Sequence, residues 1–157
     1  MPIPRQISDY LDSQHVWYRT STHPLAFTAQ GLAHAQHVSG KLLAKAVMVK
    51  ADSRMIMVVL PASHCIQFGE LQKLLNAGSI RLSTEDEFRD LFPGCELGAF
   101  PPFGNLYHIE VWVDKAMQEH PNILFNAGTH IETIEMSFAD FERLVQPRVG
   151  SFSDLRH

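Results

Sequence analysis

Residues 42–60 read LLAKAVMVKADSRMIMVVL, and this stretch decides the fold. Two runs rich in valine, isoleucine and methionine, residues 42–51 and 55–60, are typical of buried β-strands. The polar link Asp52-Ser53-Arg54 between them has hairpin length, and Pro61 ends the second run. The stretch therefore predicts an antiparallel hairpin, which is the strongest strand pair in the chain.

Working outward from this hairpin, the rest of the chain alternates between helical and strand periodicity. Helices are expected over residues 3–13, 28–38, 68–77, 84–92 and 138–145, with Thr28, Ser83 or Thr84, and Ser137 as capping residues. Strands are expected over 16–20, 80–82, 106–113, 123–125 and 131–136, with a helical turn over 115–119. This order predicts one α+β domain over residues 1–157, with a mixed, largely antiparallel sheet flanked by helices and a loosely held tail over 148–157.

The composition is that of a water-soluble globular domain. The chain has 157 residues, of which 45% are hydrophobic and 19% charged, so it can bury a full core without disulfides or metals. No run approaches the roughly 20 apolar residues that a membrane-spanning helix needs. Because Met1–Arg5 leads directly into a polar amphipathic segment, we expect no signal peptide and a cytoplasmic location.

The formal net charge is −4, which does not favour a nucleic-acid partner on its own. The charge is uneven, however, because residues 1–60 carry six basic and three acidic side chains. Lys41, Lys45, Lys50 and Arg54 could form a local basic surface, or they could be solvated ends of strands and turns.

The cysteines and histidines do not show the spacings that are typical of a disulfide, a metal site or a catalytic pair. Cys65 and Cys95 form no Cys-x-x-Cys motif, and His64 is expected to point away from its strand neighbour Cys65. His34 and His37 share a helical face but lack further ligands, so we expect no metal and no cofactor. Nucleotide-binding glycine motifs and the Gly-x-Ser-x-Gly hydrolase motif are also absent.

Residues 97–104, LGAFPPFG, form a segment that cannot be helical; we call it the proline loop. Proline fixes φ and glycine permits close backbone approach, so the loop could be a preset wall with exposed amides. It could equally be a turn with Phe100 and Phe103 as core residues beneath it. Its order after Lys45 and before FNAGTH, residues 125–130, favours a shared small-molecule site.

Three motifs in this order, AKAVMV at 44–49, GAFPPFG at 98–104 and FNAGTH at 125–130, resemble the YbaK-like family. That family comprises free-standing aminoacyl-tRNA deacylases and the editing domain inserted in bacterial prolyl-tRNA synthetases. The resemblance extends to HPLAFT at 23–28 and SFADF at 137–141, and so covers nearly the whole chain.

The resemblance implies a curved sheet and hydrolysis of the ester that joins a wrong amino acid to the terminal ribose of a tRNA. The substrate would be tRNA for proline carrying alanine, cysteine or another small residue, and the substrate's own 2′-hydroxyl would help to activate attack. The implied partners are the acceptor end of mischarged tRNA, with prolyl-tRNA synthetase or an elongation factor as further candidates. Neither a membrane nor DNA is implied.

In the proline loop, the resemblance implies that Gly98 and Ala99 supply backbone donors near the ester carbonyl or the amino acid. Pro101 would fix their geometry, and Phe100 and Phe103 would shape the wall of the pocket.

Lys45 matches the family's strand lysine and would bind the terminal phosphate or ribose while stabilising negative charge. The alternative is a strand-end lysine whose head group reaches solvent. Lys41 and Lys50 would compete for the role if the strand register differed.

The segment FNAGTH matches the family's second glycine loop. Gly128 would allow close approach of the substrate, and Thr129 or His130 would hydrogen-bond the aminoacyl group or ribose, so that both are candidate binding residues. Phe27 and Thr28 would line the pocket that measures the amino-acid side chain. The competing hypotheses are a non-catalytic module of the same fold that binds aminoacyl-tRNA or a protein, and a metal-dependent hydrolase, which the histidine inventory disfavours.

Overall fold

A computed structural model describes residues 5–22, 43–92, 95, 99–129 and 131–155. In these ranges the helices are α1 (Arg5–Ser13), α2 (Phe68–Leu75), α3 (Glu85–Phe88) and α4 (Phe138–Val145). The strands are β1 (Tyr18–Thr22), β2 (Ala44–Ala51), β3 (Arg54–Pro61), β4 (His64–Ile66), β5 (Ile80–Leu82), β6 (Glu110–Asp114), β7 (Asn122–Asn126), β8 (Glu132–Ser137), β9 (Arg148–Gly150) and β10 (Ser153–Leu155). Short 3-10 helices lie at Arg89–Leu91, Gly104–Tyr107 and Lys115–Glu119.

The central hairpin forms as its sequence predicts. β2 and β3 pair antiparallel from Ala44↔Pro61 to Ala51↔Arg54. Asp52 adopts a left-handed conformation with φ 55°, and its carboxylate accepts a hydrogen bond from the Ser79 backbone N–H at 2.9 Å. The turn is thereby tied to the segment that leads into β5.

The strands form three sheets. One has the order β5-β2-β3-β6-β9, in which β6 is parallel to both β3 and β9. The second has the order β1-β8-β7 and is antiparallel throughout, and β4 pairs antiparallel with β10. A parallel bridge between Leu43 and Leu124 connects the segment before β2 to β7. The expected α+β fold with mixed, largely antiparallel sheets is confirmed.

The two faces of the β2–β3 hairpin bury different cores. The first core contains Met48, Met57, Phe125 and Phe141 and is covered by α1 and α4. The second core holds Val49, Ile56, Val58, Leu60 and Trp112 beneath Leu71 and Leu75 of α2. Each fully buried side chain of this size contributes roughly 1.5–3 kcal/mol of transfer free energy, so the hairpin is held from both sides.

Helix ends follow the expected capping residues. The Thr84 backbone N–H donates to the Glu87 carboxylate at 2.8 Å, which begins α3. The Ser137 hydroxyl accepts from the Asp140 backbone N–H at 3.0 Å, which begins α4. The expected helix over 28–38 lies outside the described residues.

The strand expected over 106–113 begins later than predicted. Residues Gly104–Tyr107 form a 3-10 helix, and His108 adopts a left-handed conformation with φ 60°. The chain therefore straightens only at Glu110, where β6 begins. The alternating pattern did not reveal this turn because the side chains of a short 3-10 helix can also be half-buried.

The prediction of a loose tail is wrong for residues 148–155. β9 pairs with β6, and β10 pairs with β4. Phe152, between these two strands, is fully buried in the second core, and its backbone N–H donates to the Asp114 carboxylate at 2.9 Å. Two three-residue strands around one aromatic anchor carry too little periodicity to be recognised in a sequence. Across the described ranges, the helices are all too short and too polar to cross a bilayer.

Candidate functional site

Two of the three predicted site segments meet through their backbones. The Gly128 N–H donates a hydrogen bond to the carbonyl oxygen of Ala99 at 2.8 Å. Ala99 is fully buried, and Gly128 has φ 96°, a conformation that favours glycine. The Ala127 N–H donates to the Glu132 carbonyl oxygen at 3.0 Å and closes the turn. The described part of the proline loop, from Ala99 onward, and residues 126–129, which we call the glycine turn, are therefore joined.

Aromatic packing fixes the proline loop from below. Phe103 is fully buried and makes edge contacts with Phe125 and Phe141, each with ring centroids 5.6 Å apart. Phe100 stacks on Phe92 with a centroid distance of 4.6 Å. Both rings belong to the first core, so they hold the loop from the core side. This agrees with the alternative interpretation of the loop as a turn with Phe100 and Phe103 as core residues beneath it.

Gly104 closes the loop by close packing. A Cβ at this position would lie 2.7 Å from Val111 and 2.9 Å from the Ile109 carbonyl oxygen. The Ile109 N–H donates to the Gly104 carbonyl oxygen at 2.9 Å. Any larger residue would push the loop away from β6, so the close packing at this position requires glycine.

Lys45 lies on β2 opposite Leu60 of β3 and is partly buried. Its side chain lines a cavity of about 290 Å³, whose other lining residues are Val47, Cys65, Ile66, Phe68 and Leu82. Because side chains alternate along a strand, Lys45 shares the face of Val47 and Val49. That face belongs to the second core, whereas Phe100 and Phe103 belong to the first. The lysine and the two phenylalanines thus lie on opposite faces of the sheet.

A contact between two sheets nevertheless brings β2 to the strand that leads into the glycine turn. Leu43 and Leu124 form an isolated parallel bridge, and β2, which carries Lys45, contacts β7, which ends at Asn126. Phe125 and Ala127 belong to the first core. Asn126, between them, therefore points away from the first core, as Lys45 does on β2. No sequence pattern indicates this neighbour relation, because it depends on contact between two sheets.

The glycine turn contains buried polar atoms with no partner. In the part of the chain that the structure describes, six buried side-chain nitrogen or oxygen atoms lack a hydrogen bond, and two of them are Asn126 Oδ1 and Thr129 Oγ1. Thr129 is only 2% exposed. Unpaired buried polar atoms are rare in folded proteins and require an explanation such as a ligand. Asn126 was not among the residues that the sequence singled out as binding residues.

Four predicted site residues lie outside the described residues, and nothing structural is said of them. They are Phe27, Thr28, Gly98 and His130. The same holds for Lys41, His34 and His37.

Four basic side chains were candidates for a local basic surface, and two of them, Lys50 and Arg54, form ion pairs with carboxylates. Lys50 Nζ lies 3.6 Å from Glu87, and Arg54 lies 3.7 Å from Glu110. Glu87 also receives two hydrogen bonds from Arg81, at 2.8 and 2.9 Å, and these hold the pKa of the Glu87 carboxyl well below its usual range. The positive charge of Lys50 and Arg54 is therefore partly neutralised within the protein.

Cys95 does not have the environment of a nucleophile. Burial raises the pKa of the Cys95 thiol, and burial beside Cys95 raises the pKa of Tyr107 to about 12, so Cys95 is held in its less reactive protonated form. Cys65 faces the cavity beside Lys45, while the ring of His64 lies within 2.8 Å of the Ser153 hydroxyl. Within the described ranges, no group of three or more His, Cys, Asp or Glu side chains could hold a metal ion.

A larger and more polar cavity of about 450 Å³ lies between β4 and the 3-10 helix that follows β6. Its buried carboxylate, Asp114, already accepts hydrogen bonds from the backbone N–H groups of Ala116 and Phe152, each at 2.9 Å. His64 is paired with Ser153. Because these groups are satisfied within the fold, their role here is to anchor the C-terminal strands.

Comparison with known protein families gives a match over most of the chain. Residues 23–144 match the model of the aminoacyl-tRNA editing domain. The matched range contains β2, the proline loop and the glycine turn, the segments on which most of the predicted site residues lie.

Similar individual proteins include synthetase and free-standing forms. The chain is 29% identical over 109 residues to proline–tRNA ligase of Bacillus subtilis, which covers 68% of this chain and 19% of the ligase. It is 24% identical over 140 residues to the multifunctional Ser/Thr-tRNA deacylase ProXp-y of Escherichia coli K12, with 86% of this chain and 83% of that protein covered. The chain thus spans about a fifth of the length of the ligase that it matches.

Solved structures share the fold. One, a proposed trans-editing enzyme for prolyl tRNA synthetase, superposes with a TM-score of 0.84 at 18% identity and covers 98% of this chain and 99% of that chain. At this level of identity the likeness establishes the architecture.

Proposed function

Because the chain belongs to the aminoacyl-tRNA editing domain family, we propose that it is a trans-editing deacylase that hydrolyses the ester of mischarged tRNA. The proposal extends to the tRNA for proline carrying a small amino acid such as alanine or cysteine. It is supported by the similarity to a proline–tRNA ligase and to a free-standing Ser/Thr-tRNA deacylase.

The observation that carries the proposal is the hydrogen bond between Gly128 and Ala99, at 2.8 Å. It joins the two loops to which the aminoacyl end is assigned, above aromatic side chains that pack in the first core. Preorganised backbone donors of this kind stabilise the oxyanion that forms when an ester carbonyl is attacked. In our proposal the amides of Gly98 and Ala99 supply these donors, and Pro101 sets their direction.

The remaining groups bind the two ends of the ester. Lys45 lies on β2, which contacts β7, and is assigned to the terminal ribose or its phosphate, where an ammonium group suits a negative charge. Thr129 carries a buried hydroxyl without a partner among the described residues and is assigned to the aminoacyl group, together with Gly128 and His130. Phe27, Thr28 and Phe100 are assigned to the pocket that limits the size of the side chain.

No serine or cysteine nucleophile is used. The oxygen of a water molecule bonds to the ester carbonyl carbon, the bond from that carbon to the ribose oxygen breaks, and the ribose oxygen takes a proton. The products are the free amino acid and uncharged tRNA. The substrate's own free hydroxyl assists this step.

The proposal is tested by incubating the purified protein with tRNA for proline charged with alanine or cysteine, and with other tRNAs charged with serine or threonine, in excess chelator. We expect release of the amino acid from at least one of them and about 100-fold slower release by Lys45→Ala. The matched control is Lys50→Ala, on the same strand but on the opposite face and paired with Glu87. Its rate should stay within about twofold of the wild-type rate.

Three outcomes would change the assignment. If the wild-type protein releases amino acid from none of these tRNAs but binds them, the chain is a non-catalytic binding module. If chelator abolishes release, a metal ion takes part. If Lys45→Ala and Lys50→Ala are equally active, the site lies elsewhere. Binding of prolyl-tRNA synthetase or an elongation factor needs a separate measurement. We propose tRNA as the main partner and these two proteins as further candidates.

A further inference from the structure

Asn126 carries an acceptor that the fold does not satisfy. Its Oδ1 atom is buried and has no hydrogen-bond partner among the residues that the structure describes. Asn122, at the other end of the same strand, donates from its amide to Glu135 at 2.9 Å. Of the two asparagines on this strand, Asn122 has a side-chain hydrogen bond, whereas the side-chain oxygen of Asn126 has none. Asn126 is at the end of the strand that continues into the glycine turn.

The surroundings of Asn126 define which donor fits. It pairs with Thr133 of β8, which is fully buried, and its strand β7 contacts β2, the strand that carries Lys45. A second cation close to the lysine ammonium would be repelled. A neutral hydroxyl would not be repelled, and it can donate to an amide oxygen.

An aminoacyl ester of a terminal ribose offers two kinds of donor near its scissile bond. One is the α-ammonium group of the amino acid, and the other is the ribose hydroxyl next to the esterified oxygen. The charge of Lys45 disfavours the first. Because Lys45 is assigned to the ribose or its phosphate, the second lies close to Asn126 when the proposed substrate is bound.

We propose that the side-chain carbonyl of Asn126 accepts a hydrogen bond from the free hydroxyl of the terminal ribose. The inference rests on the proposed function and assigns one more substrate contact within that site. An amide oxygen is too weak a base to take the proton, so Asn126 orients the hydroxyl. With its proton directed at Asn126, the hydroxyl presents its lone pairs to the attacking water.

The test is analogous to a double-mutant cycle: it combines one substitution in the protein with one change in the substrate and compares the rates of release. The substrates are the same mischarged tRNA with a normal terminal adenosine and with a terminal 2′-deoxyadenosine that carries the amino acid on its 3′-oxygen. We expect Asn126→Ala to slow release from normal tRNA about tenfold or more. On the deoxy substrate it should slow release less than twofold, because the partner hydroxyl is already missing.

The control variant is Asn122→Ala, which removes a side chain from the same strand and should slow release from both substrates by the same small factor. Thermal unfolding checks the fold, and Asn126→Ala should not lower the midpoint as Asn122→Ala does, because only Asn122 has a partner in the described residues. A non-hydrolysable 3′-amide analogue, with and without the 2′-hydroxyl, gives a second measurement through its dissociation constant.

Equal slowing of both substrates by Asn126→Ala would overturn the inference and leave the proposed function standing. So would coupling to the amino group, seen if Asn126→Ala loses its effect when the α-amine is replaced by a hydroxyl. Failure of the wild-type protein to deacylate any tRNA would instead overturn the proposed function, and this inference with it.

Discussion

The backbone N–H of Gly128 lies 2.8 Å from the carbonyl oxygen of Ala99, and this contact fixes the distance between the proline loop and the glycine turn. Both residues are buried, and their chain neighbours Phe100 and Ala127 belong to the first core. The separation of the two loops is therefore set by the scaffold before a ligand arrives. Preorganisation of this kind lowers the cost of binding and of stabilising a developing charge.

Gly128→Ala should lower both stability and deacylation, because φ 96° is strained for any residue with a Cβ. We expect a loss of about 1–3 kcal/mol in the free energy of unfolding and at least tenfold in kcat/KM. Urea unfolding and single-turnover release measure the two effects. As a control, Gly69→Ala in α2 meets nothing within 4 Å and should be neutral or stabilising by about 0.5 kcal/mol. A Gly128→Ala protein with unchanged stability would contradict the strained backbone.

Phe103→Ala should destabilise the protein by about 3–5 kcal/mol, the usual cost of truncating a fully buried aromatic side chain. The ring supports the proline loop from the first core, so Phe103→Leu, which keeps most of the volume, should cost less. Chemical denaturation of the two variants gives the comparison. A cost below about 1 kcal/mol for Phe103→Ala would show that the ring is not part of the support.

Thr129→Val should separate binding from folding. The substitution keeps the shape and removes a buried hydroxyl that has no partner in the described part of the chain, so stability should be unchanged or higher. Deacylation should fall about tenfold, because the hydroxyl is assigned to the substrate. Thr20→Val, at an exposed position on β1, should change neither quantity. A drop in stability without loss of kcat/KM would give Thr129 a structural role.

The two cysteines should differ in reactivity. Cys65 is exposed, whereas burial raises the pKa of the Cys95 thiol. Since alkylation requires the thiolate, Cys95 should react more slowly with iodoacetamide near pH 8, and its rate should keep rising at more alkaline pH. Peptide mass spectrometry resolves the two sites in one sample. Equal rates at pH 8 would contradict the buried position of Cys95.

Tyr107 should make the protein less stable in alkali. Its pKa is raised to about 12 by burial, from about 10 in the unfolded chain. The folded state therefore holds the proton more tightly, and the stabilising contribution is complete below pH 10 and is lost as the pH rises towards 12. Unfolding midpoints at pH 9 and pH 11 measure this loss, and Tyr107→Phe should reduce the difference between them.

The sequence predicted those parts of the fold that rest on local patterns. The hairpin of β2 and β3 and the starts of α3 and α4 follow from hydrophobic runs and capping residues. Phe152 and the two short strands beside it were missed, because pairing with β4 and β6 depends on distant segments. At the site, the motifs indicated that the proline loop and the glycine turn belong together. They could not reveal Asn126, whose strand meets β2 through a bridge between residues 81 positions apart.

The bridge between Leu43 and Leu124 joins two sheets that share one core. Met48 and Met57 come from one sheet, Phe125 and Ile134 come from the other, and all four pack in the first core. Both bridge residues are buried as well. A substitution at the bridge should therefore weaken the two sheets together, so the loops that carry the assigned groups cannot be loosened one at a time from this point.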